Sequence, residues 1–478
     1  MTNQKQVAEA KQPAEPKQAT QAKQKSLSFK KLVESGILSQ VLGIALDLGK
    51  TWIQLYFKHE SGEYNIKLQT QKLFEILQSL PKGAAVCFEN CGTSHWVGRM
   101  CQNLELIPYP FHATDTSALR HTDKSDAADA KAIWSLFEYS KLPGHKVRTS
   151  KIKSIDEQAC AMTAQSLAQS ADKVTACSNA LGATLDELLG PEKTRPKERA
   201  EQYLCEQARD FITSHVNSLL KEKESYLASL SDKNREKLKV KFQQEAEAQA
   251  KAALFDMSIL QFKKIIPSAA ACIIFNRYFE LKQAIQLKAG LDETVKDFVK
   301  EHEPCKNLLD IPGVGFVNAF SLYAALSPML DELESASAAV RYVGMAPHHT
   351  GTGGKVVMLG IGHGGLKSLK RSVFQAGMCV VLRHIQCGKD GGTSWILDKL
   401  ATKHMKTVAG AAGAAIIRVA YAMLKRGTKY NPNKDYHLSW EDLRNPKASP
   451  ALKKLMEVEA RAMCSQPEPG LVLVDSSL

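Results

Sequence analysis

The sequence predicts an α/β domain followed by a mostly helical region. Three observations carry this. From Val41 to about residue 150, apolar runs of strand length alternate with stretches of helical periodicity. A charged stretch without proline then runs from Lys197 to Ile266. From Cys305 an apolar texture returns, punctuated by Pro and Gly.

The first strand is the apolar run VLGIALDLG. TWIQLYFKH alternates, and after the turn Glu60-Ser61-Gly62 comes EYNIKLQT, so three consecutive strands are joined by tight turns. KLFEILQSL has helical periodicity. Ala84 to Glu89 reads as a short buried strand, SHWVGRMCQNL as a helix, and LIPYPFH as a strand whose prolines place it at a sheet edge. A further helix starts near Asp126 and runs to about Tyr139. The order is βββ-α-β-α-β-α. A ribonuclease-H-like domain has this order, and few other folds open with three meandering strands and then alternate.

From about Ser154 to Glu303 the chain reads as almost all helix, and segments such as KEKES carry few apolar residues. A solvated helical hairpin or coiled coil accounts for most of it, with a dimerising arm as the functional counterpart. The expected organisation has five parts. They are a disordered polar tail over 1–40, a catalytic domain over 41–150, a helical linker over 151–303, a C-terminal helical domain over 304–430 and a polar tail over 431–478.

The chain has 478 residues, 44% of them hydrophobic, with a formal net charge of +13. So basic a balance favours a polyanionic partner. No stretch reaches the roughly 20 apolar residues of a membrane span. The N-terminus lacks the apolar core of a secretory signal. The eleven cysteines are scattered and show no CxxC pairing, which points to reduced thiols in a cytoplasmic protein. A zinc site at Cys87, Cys91 and His95 is disfavoured because Cys87 falls in a strand that reads as buried.

Four carboxylates stand out. Asp47 and Glu89 each end a predicted strand, and Asp126 and Asp129 open a predicted helix. A spacing of three puts the last two on one helix face, with Cβ atoms about 5–6 Å apart. Converging acids repel one another. Mg²⁺ or Mn²⁺ would resolve this, and a pair of such ions about 3.5–4 Å apart stabilises in-line phosphoryl transfer. The plain alternatives are a turn residue at Asp47 and a helix cap at Asp126. Lys124 and Ser125, just before that helix, are candidate phosphate contacts or solvated turn residues.

Two C-terminal motifs complete the reading. Ile311-Pro312-Gly313-Val314-Gly315 lies between helical patterns like the turn of a helix-hairpin-helix, where backbone N–H groups at Gly313 and Gly315 can approach a DNA phosphate. The plain alternative is an ordinary Pro-Gly connection. Pro347 to Lys355 (PHHTGTGGK) reads as a polar, hydroxyl-bearing loop. No Asp or Glu occurs from Ser335 to Lys389, while Lys355, Lys367, Lys370 and Arg371 do, which favours phosphate contact. The loop lacks the P-loop pattern. Thr352 or Thr350 is a candidate nucleophilic hydroxyl.

IALDLGKT, VCFENCGTSHWVGRMCQNL, the KSDAADA run, LLDIPGVG, YVGMAPHHTGTGGK and GAAGAAIIRVAYAMLKRG, in this order, resemble the DEDD transposases of the insertion sequence 110 family, which includes the Piv-type pilin invertases. The resemblance covers about Val41 to Tyr430. It implies a RuvC-like domain whose acids match Asp47, Glu89, Asp126 and Asp129. It also implies a C-terminal domain with a catalytic serine that attacks a DNA phosphate. Here that position falls on Thr352, with Thr350 nearby, and the added methyl adds bulk and stiffens the side chain. Ser368 and Ser372 lie in a helical pattern and are weaker substitutes. The implied function is a metal-dependent DNA transposase or site-specific recombinase. The implied partners are DNA, a second copy of the chain in a dimer or tetramer and, as in several family members, an element-encoded guide RNA. A hydrolytic Holliday-junction-type nuclease and a nucleic-acid-binding descendant without catalysis stand as alternatives.

Overall fold

The computed structural model describes residues 29–119, 125–145, 147–229, 231–352, 355–362, 364–387 and 394–430. Lys124 and the tails over 1–28 and 431–478 lie outside the described residues. The chain divides into two compact units, residues 1–158 and 159–478.

The first unit is built on a sheet of β1 (Gly43–Leu48), β2 (Trp52–His59), β3 (Gly62–Gln69), β4 (Ala85–Glu89) and β5 (Ile107–Phe111), in the order β3-β2-β1-β4-β5. β1, β2 and β3 pair antiparallel, while β4 and β5 join parallel to the other side of β1. Helices α1 (Phe29–Glu34), α2 (Leu73–Gln78), α3 (Ser94–Asn103), α4 (Ala113–Ala118) and α5 (Asp126–Ser140) complete it. β1 and β4 are buried on both faces, which explains their unbroken apolar runs. β5 carries Pro108 and Pro110 at the sheet edge, as its sequence predicts.

Alternation along the strands separates two cores. Ile44, Leu46, Leu55, Val86 and Phe88 face one side, with Val97 and Cys101 of α3. Ala45, Tyr56, Cys87 and Phe111 face the other, with Ala130, Ile133, Trp134 and Phe137 of α5. One expectation is corrected here. The last dozen residues of the supposed tail are folded, as α1 and a 3-10 turn over Ile37–Gln40. Leu32 and Leu38 are buried in the first core, so this segment has the apolar anchors that the Gln- and Lys-rich part lacks.

The described residues of the second unit are helical apart from one ribbon. Its helices are α6 (Ile155–Leu189, beginning in the first unit), α7 (Pro196–Gln207), α8 (Arg209–Ala228), α9 (Asp232–Asp256), α10 (Ile259–Ile265), α11 (Ala269–Glu301), α12 (Glu303–Lys306), α13 (Phe316–Leu326), α14 (Ala336–Val343), α15 (Lys367–Cys387), α16 (Ser394–Thr402) and α17 (Met405–Arg426). Val216 of α8 packs on Ala246 and Ala250 of α9. A second cluster gathers Leu181, Leu204, Phe262 and Phe275 from α6, α7, α10 and α11. The largest core joins α13, α14, α15, α16 and α17.

Two further expectations change. α17 is one helix long and apolar enough to cross a membrane, at 22 residues and a mean hydropathy of 1.6. Its apolar window is 61% buried against the rest of the chain, through residues such as Val408, Ile417 and Ala420. The polar loop from Pro347 is a two-stranded antiparallel ribbon, β6 (Pro347–Thr352) with β7 (Lys355–Ile361). The β-branched and apolar run KVVMLGI supplies the strand preference that PHHTGT lacks.

Candidate active site

The first unit gathers polar side chains at one edge of its sheet. The last parallel pair between β1 and β4 sets Leu46 beside Phe88, so Asp47 and Glu89 follow as neighbours at the two strand ends. Adjacent strands lie about 4.8 Å apart. Both acids alternate with Ala45 and Cys87, and so share the face covered by α5. Both are half-buried.

The start of α5 is fixed by its own cap and by the neighbouring strands. Ser125, rather than Asp126, is the N-cap, its hydroxyl accepting from the Ala128 N–H at 3.3 Å. Asp126 and Asp129 fall in the first turn, where carboxylates complement the helix dipole. From the sheet, Asn65 donates to the Ala127 carbonyl at 3.0 Å, and Lys67 donates to Asp126 Oδ2 at 2.8 Å. Gln54, opposite Asp47 on β2, donates in turn to Asn65. The Lys67 ammonium holds the Asp126 carboxyl below the usual carboxylate range, first by its hydrogen bond and then by its charge. Oδ1 of Asp129 is buried.

Glu89 is held from a different element. Thr116 of α4 donates to its Oε2 at 2.6 Å, and the Ser94 hydroxyl donates to its carbonyl at 3.2 Å, closing β4 against the start of α3. α4 is steadied by an ion pair between Arg148 and Asp115 at 2.7 Å, which keeps the Asp115 carboxyl low.

Asp47, Glu89 and the first turn of α5 are thus brought to one edge. Glu89 is engaged there by Thr116, and Asp126 by Lys67. Among the described residues, no three His, Cys, Asp or Glu side chains are grouped to hold a metal ion. That covers the disfavoured Cys87, Cys91 and His95 set as well. Carboxylate oxygens are nonetheless the donor chemistry that suits Mg²⁺ or Mn²⁺. Thr116, Lys67, Asn65 and Gln54 went unnoticed in sequence because their roles depend on strand register and through-space contact.

The remaining candidates lie in the second unit. Thr352 ends β6, and register pairs it with Lys355 at the start of β7; Thr350 pairs with Val357 and is exposed. Gly313 adopts a left-handed φ of 82° in the IPGVG turn, and a Cβ there would lie 2.7 Å from the Ala376 carbonyl of α15. Gly315 is the N-cap of α13, and both glycines are exposed. The elements immediately before this turn are the four-residue α12 and a 3-10 turn over Asn307–Asp310. Lys367 is exposed at the start of α15. Lys370 donates to the Gly362 and Gly364 carbonyls at 2.7 and 3.0 Å, tying down the end of the ribbon, and Arg371 pairs with Asp172 of α6 at 2.9 Å. Ser368 and Ser372 sit in α15, and the Ser372 hydroxyl bonds the Leu369 carbonyl at 3.0 Å.

The class to which the ribbon-bearing region is similar is the transposases. Residues 305–391 match the model of the Transposase IS116/IS110/IS902 family, so the resemblance to the insertion sequence 110 family stands on this segment. The chain is 26% identical over 153 residues to the transposase for insertion sequence element IS1111A of Coxiella burnetii, a match covering 32% of this chain and 42% of that protein. It is 26% identical over 141 residues to the transposase for insertion sequence element IS1328 of Yersinia enterocolitica, covering 30% and 42%. It is 31% identical over 156 residues to the putative transposase y4pF/y4sB of Sinorhizobium fredii, covering 32% and 39%. The matched part spans about two fifths of each relative's length.

Proposed function

We propose that this chain is a DNA transposase or site-specific recombinase that cleaves and rejoins strands to move or invert a DNA element. The observation that carries the reading is the shared sheet edge of Asp47, Glu89 and the first turn of α5, in a chain whose residues 305–391 match transposases. The strand order β3-β2-β1-β4-β5 supports a ribonuclease-H-like reading of the first unit.

In this reading Asp47 and Glu89 hold divalent cations from the strand ends, and Asp129 does so from α5. Asp126 would join them if its pairing with Lys67 were released. Mg²⁺ or Mn²⁺ held by these carboxylates would supply Lewis-acid polarisation of a scissile phosphate. The Thr352 hydroxyl attacks phosphorus, forming a phosphothreonine ester, and its proton passes to a base. The strand oxygen that leaves takes up a proton, and attack by a strand hydroxyl on the ester rejoins DNA and restores Thr352. Exposed backbone at Gly313 and Gly315, with Lys355 and Lys367, holds phosphates without reading sequence. The working particle is a homo-oligomer on DNA, with an element-encoded guide RNA as a further partner.

The test measures strand exchange, DNA binding and adduct formation together. Asp47→Asn and Asp129→Asn abolish exchange while sparing binding, and full activity in either sinks the acid-edge assignment. Thr352→Ala loses the protein–DNA adduct, and an unchanged yield moves the nucleophile elsewhere. Threonine at the family's serine position favours a nucleic-acid-binding descendant without catalysis, and a further reading makes water the nucleophile of a junction-resolving nuclease. Nicked product with a free 5′-phosphate and no adduct identifies that case.

A further inference from the structure

The acid edge carries an aromatic side chain that the scheme above does not use. β2 opens at Trp52, two residues before Gln54, the cross-strand partner of Asp47. Residues 52, 54 and 56 share one face by alternation, and Tyr56 of this series packs in the α5-side core. Trp52 therefore lies on the same face as Asp47. Strand geometry sets their Cα atoms about 8–9 Å apart, within the reach of one nucleotide.

Exposure climbs steeply along this face. Tyr56 is 1% exposed, Gln54 7% and Trp52 47%. The backbone beneath the indole is fixed. The Trp52 carbonyl passes so close to Gly49 that a Cβ there would lie 2.3 Å from it. Thr70 clamps the same turn twice, its N–H donating to the Thr51 carbonyl and its hydroxyl to the Gly49 carbonyl, each at 3.0 Å. The turn also presents the exposed Lys50, and Lys67 stands on the same face opposite Gln54. A half-exposed indole on a fixed backbone turn, sharing a face with carboxylates that repel phosphate, suits the flat neutral part of a nucleotide.

We propose that Trp52 is a stacking platform for an unpaired base of the DNA strand held at the acid edge; this rests on the DNA-processing reading above. Stacking on the indole positions the strand without selecting its sequence, since every base has a π-face. The probe is a short single-stranded DNA carrying 2-aminopurine, titrated with the full chain at low salt. The wild-type chain binds it and quenches its fluorescence. Trp52→Ala weakens binding roughly tenfold to a hundredfold and removes the quench. Trp52→Phe restores most of the binding, whereas Trp52→Leu, which keeps apolar bulk without a π-face, does not. Wild-type affinity and quench in Trp52→Ala, or full rescue by Trp52→Leu, overturns the platform alone. Absence of DNA binding by the wild-type chain overturns both the platform and the reading beneath it.

Discussion

The Thr116 hydroxyl donates to Glu89 Oε2 at 2.6 Å, so a buried group on a six-residue helix sets the orientation of an acid on the neighbouring strand. Thr116 is 2% exposed, and its loss leaves a half-buried carboxylate without that donor. Thr116→Val keeps the shape and removes the O–H, with an expected loss of about 1–3 kcal/mol in urea unfolding. Thr116→Ser retains most of the stability. If Glu89 is a cation ligand, Mn²⁺ narrows the gap between Thr116→Val and wild type, because the cation takes over the freed oxygen. Equal unfolding midpoints for Thr116→Val and wild type contradict the role given to this bond.

Lys67 and Asp126 form the second such link, and here pH is the handle. The folded-state carboxyl lies below the ordinary carboxylate value of about 3.9. A depressed carboxyl contributes stability above its unfolded value and loses it as pH falls through the folded one. Both side chains are more than half exposed, so screening keeps the contribution under about 1 kcal/mol. Lys67→Met therefore lowers the thermal transition slightly at about pH 6, and the difference closes toward about pH 3. A difference of constant size across that range contradicts the assignment. Lys67→Met also removes a cation from Asp126, and is expected to bind Mn²⁺ more tightly in calorimetry than wild type does.

These two links mark where the sequence stops being readable. The buried runs of β1 and β4 and the prolines of β5 announce themselves, and with them the acids at Asp47 and Glu89. Strand ends and a helix start are local features. Lys67 meets Asp126 across 59 positions of sequence and Thr116 meets Glu89 across 27, so only the register of β2 and β3 and the placement of α4 reveal them. β6 hides for another reason: Gly, His and Thr give PHHTGT no apolar alternation, although KVVMLGI beside it carries a strand signal. α1 and the 3-10 turn after it had a signal too, in Leu32 and Leu38, but the polar residues before them masked the change of texture.

The last prediction sets one substitution at two glycines of the second unit. α15 and α17 approach so closely that a Cβ on Gly377 would lie 2.2 Å from the Ala409 carbonyl and 2.7 Å from the Gly413 nitrogen. Both are backbone atoms and cannot swing aside. Alanine gains up to about 1 kcal/mol over glycine in a helix interior. Forcing the helices apart costs about 1–3 kcal/mol or more. Overpacking prevails, so Gly377→Ala destabilises. Gly290 is exposed in α11, and a Cβ there meets nothing within 4 Å. Gly290→Ala keeps only the helix gain and stabilises by about 0.5–1 kcal/mol. Urea unfolding followed by circular dichroism, which the helical second unit dominates, reads both. Midpoints moving in the same direction contradict the close packing of α15 on α17, since propensity alone gives the two changes one sign.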